Sequence, residues 1–93
     1  MTIRERIEKA VYLAIDEINK ELPIQKHIEK LYTTRLIGEF NDKQIECLAV
    51  AVQDNIEKEF NMTVILIDKG KLIKDGDPFQ NVSNLVNYIA LSI

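Results

Sequence analysis

A single cysteine, Cys47, stands in a chain of 93 residues, so no internal disulfide can close. A reducing, cytoplasmic setting is the simpler expectation. His27 is the only histidine, and it falls on a different predicted helix from Cys47. A zinc site draws about four ligands, and a Cys–His nucleophile pair needs hydrogen-bond contact, so neither chemistry is expected. His27 reads as a surface side chain and Cys47 as a small buried or half-buried thiol. The three glycines, Gly38, Gly70 and Gly76, never group into a phosphate-binding loop. Asp68, Asp75 and Asp77 lack the spacing of a calcium loop, and Asp75-Gly76-Asp77-Pro78 reads as turn chemistry. No apolar run approaches the ~20 residues of a membrane span. Met1-Thr2-Ile3-Arg4-Glu5-Arg6 opens an amphipathic pattern rather than a signal peptide. Basic side chains are scarce too: 12 against 15 acidic ones give a net charge of −3. That balance argues against nucleic acid and anionic membranes as partners. The carboxylates lie on charged helix faces with no apolar cleft to raise a pKa, so no enzyme is expected.

What the chain does have is helical periodicity. With 46% hydrophobic and 29% charged residues it has the balance of an ordinary globular protein, and residues 1–93 are expected to form one domain. Ile3, Ile7, Val11, Ala14, Ile18 and Leu22 recur at three- and four-residue steps and predict a first helix. Thr2 and Glu5 have capping-box spacing at its start, and Pro23 ends it. Pro23 could open a short second helix with Ile24, Ile28, Leu31 and Tyr32 on its inner side. Arg35 to Phe40 reads as a loop.

A long helix follows from Asn41 or Asp42 to Phe60, with Ile45, Leu48, Ala49, Val52, Ile56 and Phe60 inward and Asn61 as its stop. Thr63-Val64-Ile65-Leu66-Ile67 has strand propensity, with Leu72-Ile73 as its one conceivable hairpin partner. A two-stranded hairpin is marginal by itself. A last helix, about Asn81 to Ser92, turns Val82, Leu85, Val86, Ile89 and Ile93 inward and bears no charge. Amphipathic helices joined by irregular loops predict an all-α bundle.

From Ile7 to Ile93 the order of these features resembles an acyl carrier protein of the stand-alone kind. The resemblance rests on Val11-Tyr12-Leu13-Ala14-Ile15-Asp16-Glu17-Ile18-Asn19, on the loop Leu36-Ile37-Gly38-Glu39, and on Leu48 through Phe60. It ends on Asp77-Pro78-Phe79-Gln80-Asn81-Val82-Ser83-Asn84-Leu85-Val86-Asn87-Tyr88-Ile89. It implies a four-helix bundle with a short third helix inside an irregular stretch, and it favours extended loop over strand for Thr63–Ile67. It also implies acyl or aminoacyl groups carried on a phosphopantetheine arm, joined to a serine in an Asp-Ser-Leu motif at the start of the long helix.

At that point the match breaks. Ungapped alignment from Phe60 sets Asn41-Asp42-Lys43 on the motif, with Asp42 in place of the serine. A carboxylate cannot form a stable phosphodiester, so no phosphopantetheine is expected. Asp42 would instead cap the helix, worth roughly 0.5–2 kcal/mol. A gapped register sets Glu46-Cys47-Leu48 on the motif and offers a thiol for unconventional attachment. The resulting expectation is a non-enzymatic docking or accessory subunit for a biosynthetic or carrier-modifying enzyme. Its partner face would be Lys43, Glu46, Asp54, Glu57 and Glu59. A carrier loaded at Cys47 is the first alternative. The second is a helical module that self-associates through its uncharged last helix, as a monomer or weak homodimer.

Overall fold

Thr2 closes the capping box at the first helix: the Glu5 N–H donates to Thr2 Oγ1 at 3.1 Å, and the Thr2 N–H donates to Glu5 Oε1 at 3.2 Å. Helix α1 then runs Ile3–Lys20 and buries Ile7, Ala10, Val11, Ala14, Ile15 and Ile18 on one face. Each isoleucine or valine among them contributes about 1.5–3 kcal/mol when fully removed from water. Ile3, expected on that face, is 58% exposed, because the helix begins before its neighbours cover it. The computed structural model describes residues 1–93.

Beyond Pro23 the expected second helix shrinks to one 3-10 turn, Ile24–Lys26. Ile24 and Leu31 are exposed, and of the expected inner side only Ile28 is buried. Ile28 is held by Asn19, whose Nδ2 donates to Ile28 O and whose Oδ1 accepts the Ile28 N–H, both at 3.0 Å. That anchored segment is too irregular to continue a helical ladder.

The loop that follows lies against the start of the last helix. Leu36 and Ile37 N–H donate to Gln80 and Phe79 carbonyls at 3.2 and 3.1 Å. Val82 and Ser83 N–H donate to Thr34 and Tyr32 carbonyls, both at 2.9 Å. The first N–H groups of a helix have no partner inside it, so this loop completes the start of helix α3, Val82–Ser92. Val82, Leu85, Val86 and Ile89 are all fully buried on α3.

Helix α2, Asp42–Phe60, stops where Asn61 turns left-handed (φ 54°). The chain then continues without regular structure and bends at Leu66, with Val64 and Leu66 buried and Thr63 and Ile65 exposed. Strands β1 (Ile67–Asp68) and β2 (Lys71–Leu72) pair antiparallel, so this stretch is part hairpin and not wholly extended loop. Lys69 (φ 52°) and Gly70 (φ 76°) make the turn, and two left-handed residues match the twist of a two-residue hairpin. A second 3-10 segment, Ile73–Phe79, is broken by left-handed Lys74, Asp75 and Gly76.

The result is a mostly helical, compact fold with one small strand pair. Helix α1 is central and packs on both α2 and α3. The radius of gyration is 12.1 Å, against about 12 Å expected for a chain of this length.

Candidate functional site

The start of α2 is set by Asn41. Its Oδ1 accepts the Gln44 N–H and its own N–H donates to Gln44 Oε1, both at 2.8 Å. This reciprocal pair is a capping box with asparagine as its first member. Asp42 is therefore the first helical residue rather than the cap, which corrects the capping role expected for it. It is exposed, and its charge still lies favourably in the first turn of the helix.

Beside Asp42 opens a groove of about 570 Å³. Its apolar lining is Ile37, Phe40, Ile45 and Leu72, while Asp42, Glu46 and Asp75 stand among its polar residues. Gly76 lies buried at the edge with φ +84°. A Cβ there would come within 3.4 Å of the ends of both Ile37 and Leu72. Glycine thus lets the loop approach the groove wall closely. No such cleft was foreseen from the sequence, because Ile37 and Leu72 lie on loop and hairpin far apart in the chain.

Lys43, Glu46, Cys47, Val50 and Asp54 share a second, shallow depression of about 520 Å³, flanked by Glu17 of α1 and by Ile67. Their spacing places them on one helical stripe that Glu57 continues. Val50 is 47% exposed on it. Cys47 is exposed as well, which corrects the expectation of a buried or half-buried thiol. The outward stripe at 43, 46, 47, 50 and 54 was already fixed by the inward one at 45, 48, 52 and 56.

Glu59 does not belong to that face. It points toward α1, where Arg6 Nε donates to Glu59 Oε1 at 2.7 Å and Arg6 Nη2 to Glu59 O at 3.0 Å. The same guanidinium sits 4.5 Å above the Phe60 ring. Glu59 thus pairs within the fold and closes the end of α2.

Gln53 escaped the sequence reading entirely. Its Oε1 accepts the N–H groups of Leu66 and Ile67 at 2.6 and 2.9 Å, which pins the bend after α2 against that helix. No group of three His, Cys, Asp or Glu side chains is placed to hold a metal ion. No helix is long and apolar enough to cross a membrane. No family model, curated protein or solved structure matches this chain.

Proposed function

We propose that this chain is an acyl-carrier-protein-like domain that bears no arm and works as a docking or accessory subunit for an acyl or aminoacyl biosynthetic enzyme. The observation that carries the reading is Asp42. An exposed carboxylate stands at the first residue of the long helix, where the resemblance expects a serine hydroxyl. The side chains around it do not suit phosphopantetheine: none of the residues lining the adjacent groove bears a hydroxyl or thiol. A phosphoryl group on a carboxylate would be a hydrolysable anhydride. The helix start needs no serine either, because Asn41 and Gln44 cap it.

What remains is a surface. Glu46, Asp54 and Glu57 frame the exposed Val50 on one stripe of α2, with Lys43 the one basic member at its start. A basic partner patch would meet three carboxylates around a small apolar centre. Exposed ion pairs are individually weak and screened by salt.

A phosphopantetheinyl transferase is a concrete partner with which to test this face by titration calorimetry. Affinity should fall as salt rises and should be lost in a Glu46→Lys/Asp54→Lys double variant. Binding indifferent to both salt and these charges counts against the surface. A second reading draws on one specific observation, the exposure of Cys47. A thiol can hold an acyl group directly as a thioester. Mass analysis after incubation with an acyl-coenzyme A would show an adduct lost in Cys47→Ser, and an unmodified chain removes this reading.

A further inference from the structure

The groove beside Asp42 carries more negative charge than the chain itself balances. Four segments build it: the loop before α2, the first turns of α2, the hairpin, and the left-handed run after the hairpin. Ile37, Phe40, Ile45 and Leu72 supply its apolar lining, and Ile37 and Leu72 are only half-buried. Asp42 and Glu46 join from α2, four residues apart and so on one face of that helix. Asp75 comes from the left-handed run and Lys71 from β2. The ion pairs of the chain are Arg6–Glu59 and Lys30–Asp16, so all four of these charged groups are unpaired. Three carboxylates against one ammonium leave the groove with two negative charges in excess.

A metal ion would neutralise that charge only if the carboxylates converged, and no three of them do. They are divided instead between α2 and the left-handed run, with apolar side chains sharing the groove. Charge distributed in this way suits a cation whose two charges are held apart by a hydrocarbon stem. We propose that the groove binds a free aliphatic diamine. One ammonium pairs with Asp42 and Glu46, the other with Asp75, and the methylene stem lies on Ile37 and Leu72. A diamine supplies the two positive charges that Lys71 leaves wanting, whereas a monoamine supplies one. The groove's volume, about 570 Å³, falls within the range of roughly 300–1,000 Å³ usual for small-molecule sites. Such sites combine apolar walls with a few convergent polar groups, as this one does. The proposal goes beyond the docking reading and does not depend on it, since Asp54 and Glu57 of the acidic stripe lie outside the groove.

Titration of the full chain with cadaverine, followed through the methyl resonances of Ile37 and Leu72, tests the proposal. Those methyls should shift saturably. Pentylamine, with the same stem and one ammonium, should bind at least tenfold more weakly. The double variant Asp42→Asn/Asp75→Asn should also bind cadaverine at least tenfold more weakly. Both side chains are exposed, Asn41 and Gln44 still cap α2, and asparagine accepts left-handed backbone at position 75, so the fold is kept. Asp77→Asn removes a charge outside the groove and should leave the affinity unchanged. Methyl shifts that never saturate overturn the proposal, as do equal affinities for cadaverine and pentylamine or an unweakened double variant. A peptide with two lysines that saturates these methyls where cadaverine does not overturns it in favour of a protein partner.

Discussion

Asn19 and Ile28 exchange two hydrogen bonds of 3.0 Å, a side-chain amide standing in for one residue of a strand pair. Asn19 is the one polar residue among the buried set, at 8% exposure. It ties the end of α1 to the loop that leads toward α2. Asn19→Ala leaves the Ile28 N–H and C=O without partners and should cost about 1–3 kcal/mol in urea unfolding. Lys20→Ala next to it, on the exposed side, should change stability by less than about 0.5 kcal/mol. Equal effects from the two would mean that the Asn19–Ile28 pair contributes nothing.

Gln53 plays the same part for the other irregular stretch. One carboxamide oxygen accepts from both Leu66 and Ile67, so only an acceptor is needed at that point. Gln53→Glu keeps an acceptor and should be tolerated. Gln53→Leu strands two donors and should cost about 1–3 kcal/mol. Amide exchange at Leu66 and Ile67 should rise in the leucine variant alone.

The helices and their inward stripes were legible because period and caps are local signals. Asn41, Asn61 and Val82 to Ile89 all follow from residues within a turn or two. The second helix was not legible, because Ile24, Ile28 and Leu31 have helical spacing whereas Asn19, nine positions before Ile28, decides the geometry. The hairpin is not fixed by local sequence, since its stability rests on Gln53 and on packing against α2. Of the candidate face, Lys43, Glu46, Cys47, Asp54 and Glu57 share a stripe as their spacing demands. Glu59 falls on the other side of α2 by helical spacing alone, and there Arg6 pairs with it.

Gly76 and Gly70 separate two costs that sequence alone merges. Both are left-handed, at φ +84° and +76°. A Cβ at Gly70 meets nothing within 4 Å, whereas at Gly76 it meets Ile37 and Leu72 at 3.4 Å. Gly70→Ala should cost about 1 kcal/mol for the backbone alone. Gly76→Ala should cost more and should perturb the methyl resonances of Ile37 and Leu72. A Gly76→Ala variant no worse than Gly70→Ala would contradict the close approach described at the groove.

Tyr12 holds its proton more tightly in the folded chain than in the unfolded one. Burial first, then Glu8 and Tyr32, raise its hydroxyl above the ordinary value of 10.0. The folded state therefore keeps the proton longer than the unfolded chain does. This contribution is complete below pH 10.0 and is lost as pH rises through the higher folded value. Denaturant melts should show stability falling more steeply above pH 10.0 in the natural chain than in Tyr12→Phe. Identical slopes would place Tyr12 in an ordinary solvent environment.

We propose that Asp42 stands where a carrier would bear its attachment serine, at the start of a helix that Asn41 and Gln44 cap without one. Intact mass after incubation with coenzyme A and a broad-specificity phosphopantetheinyl transferase, with Asp42→Ser alongside, tests it most directly. The natural chain should stay unmodified, and Asp42→Ser should gain one arm. An arm on the natural chain, or none on the serine variant despite intact folding, would contradict it.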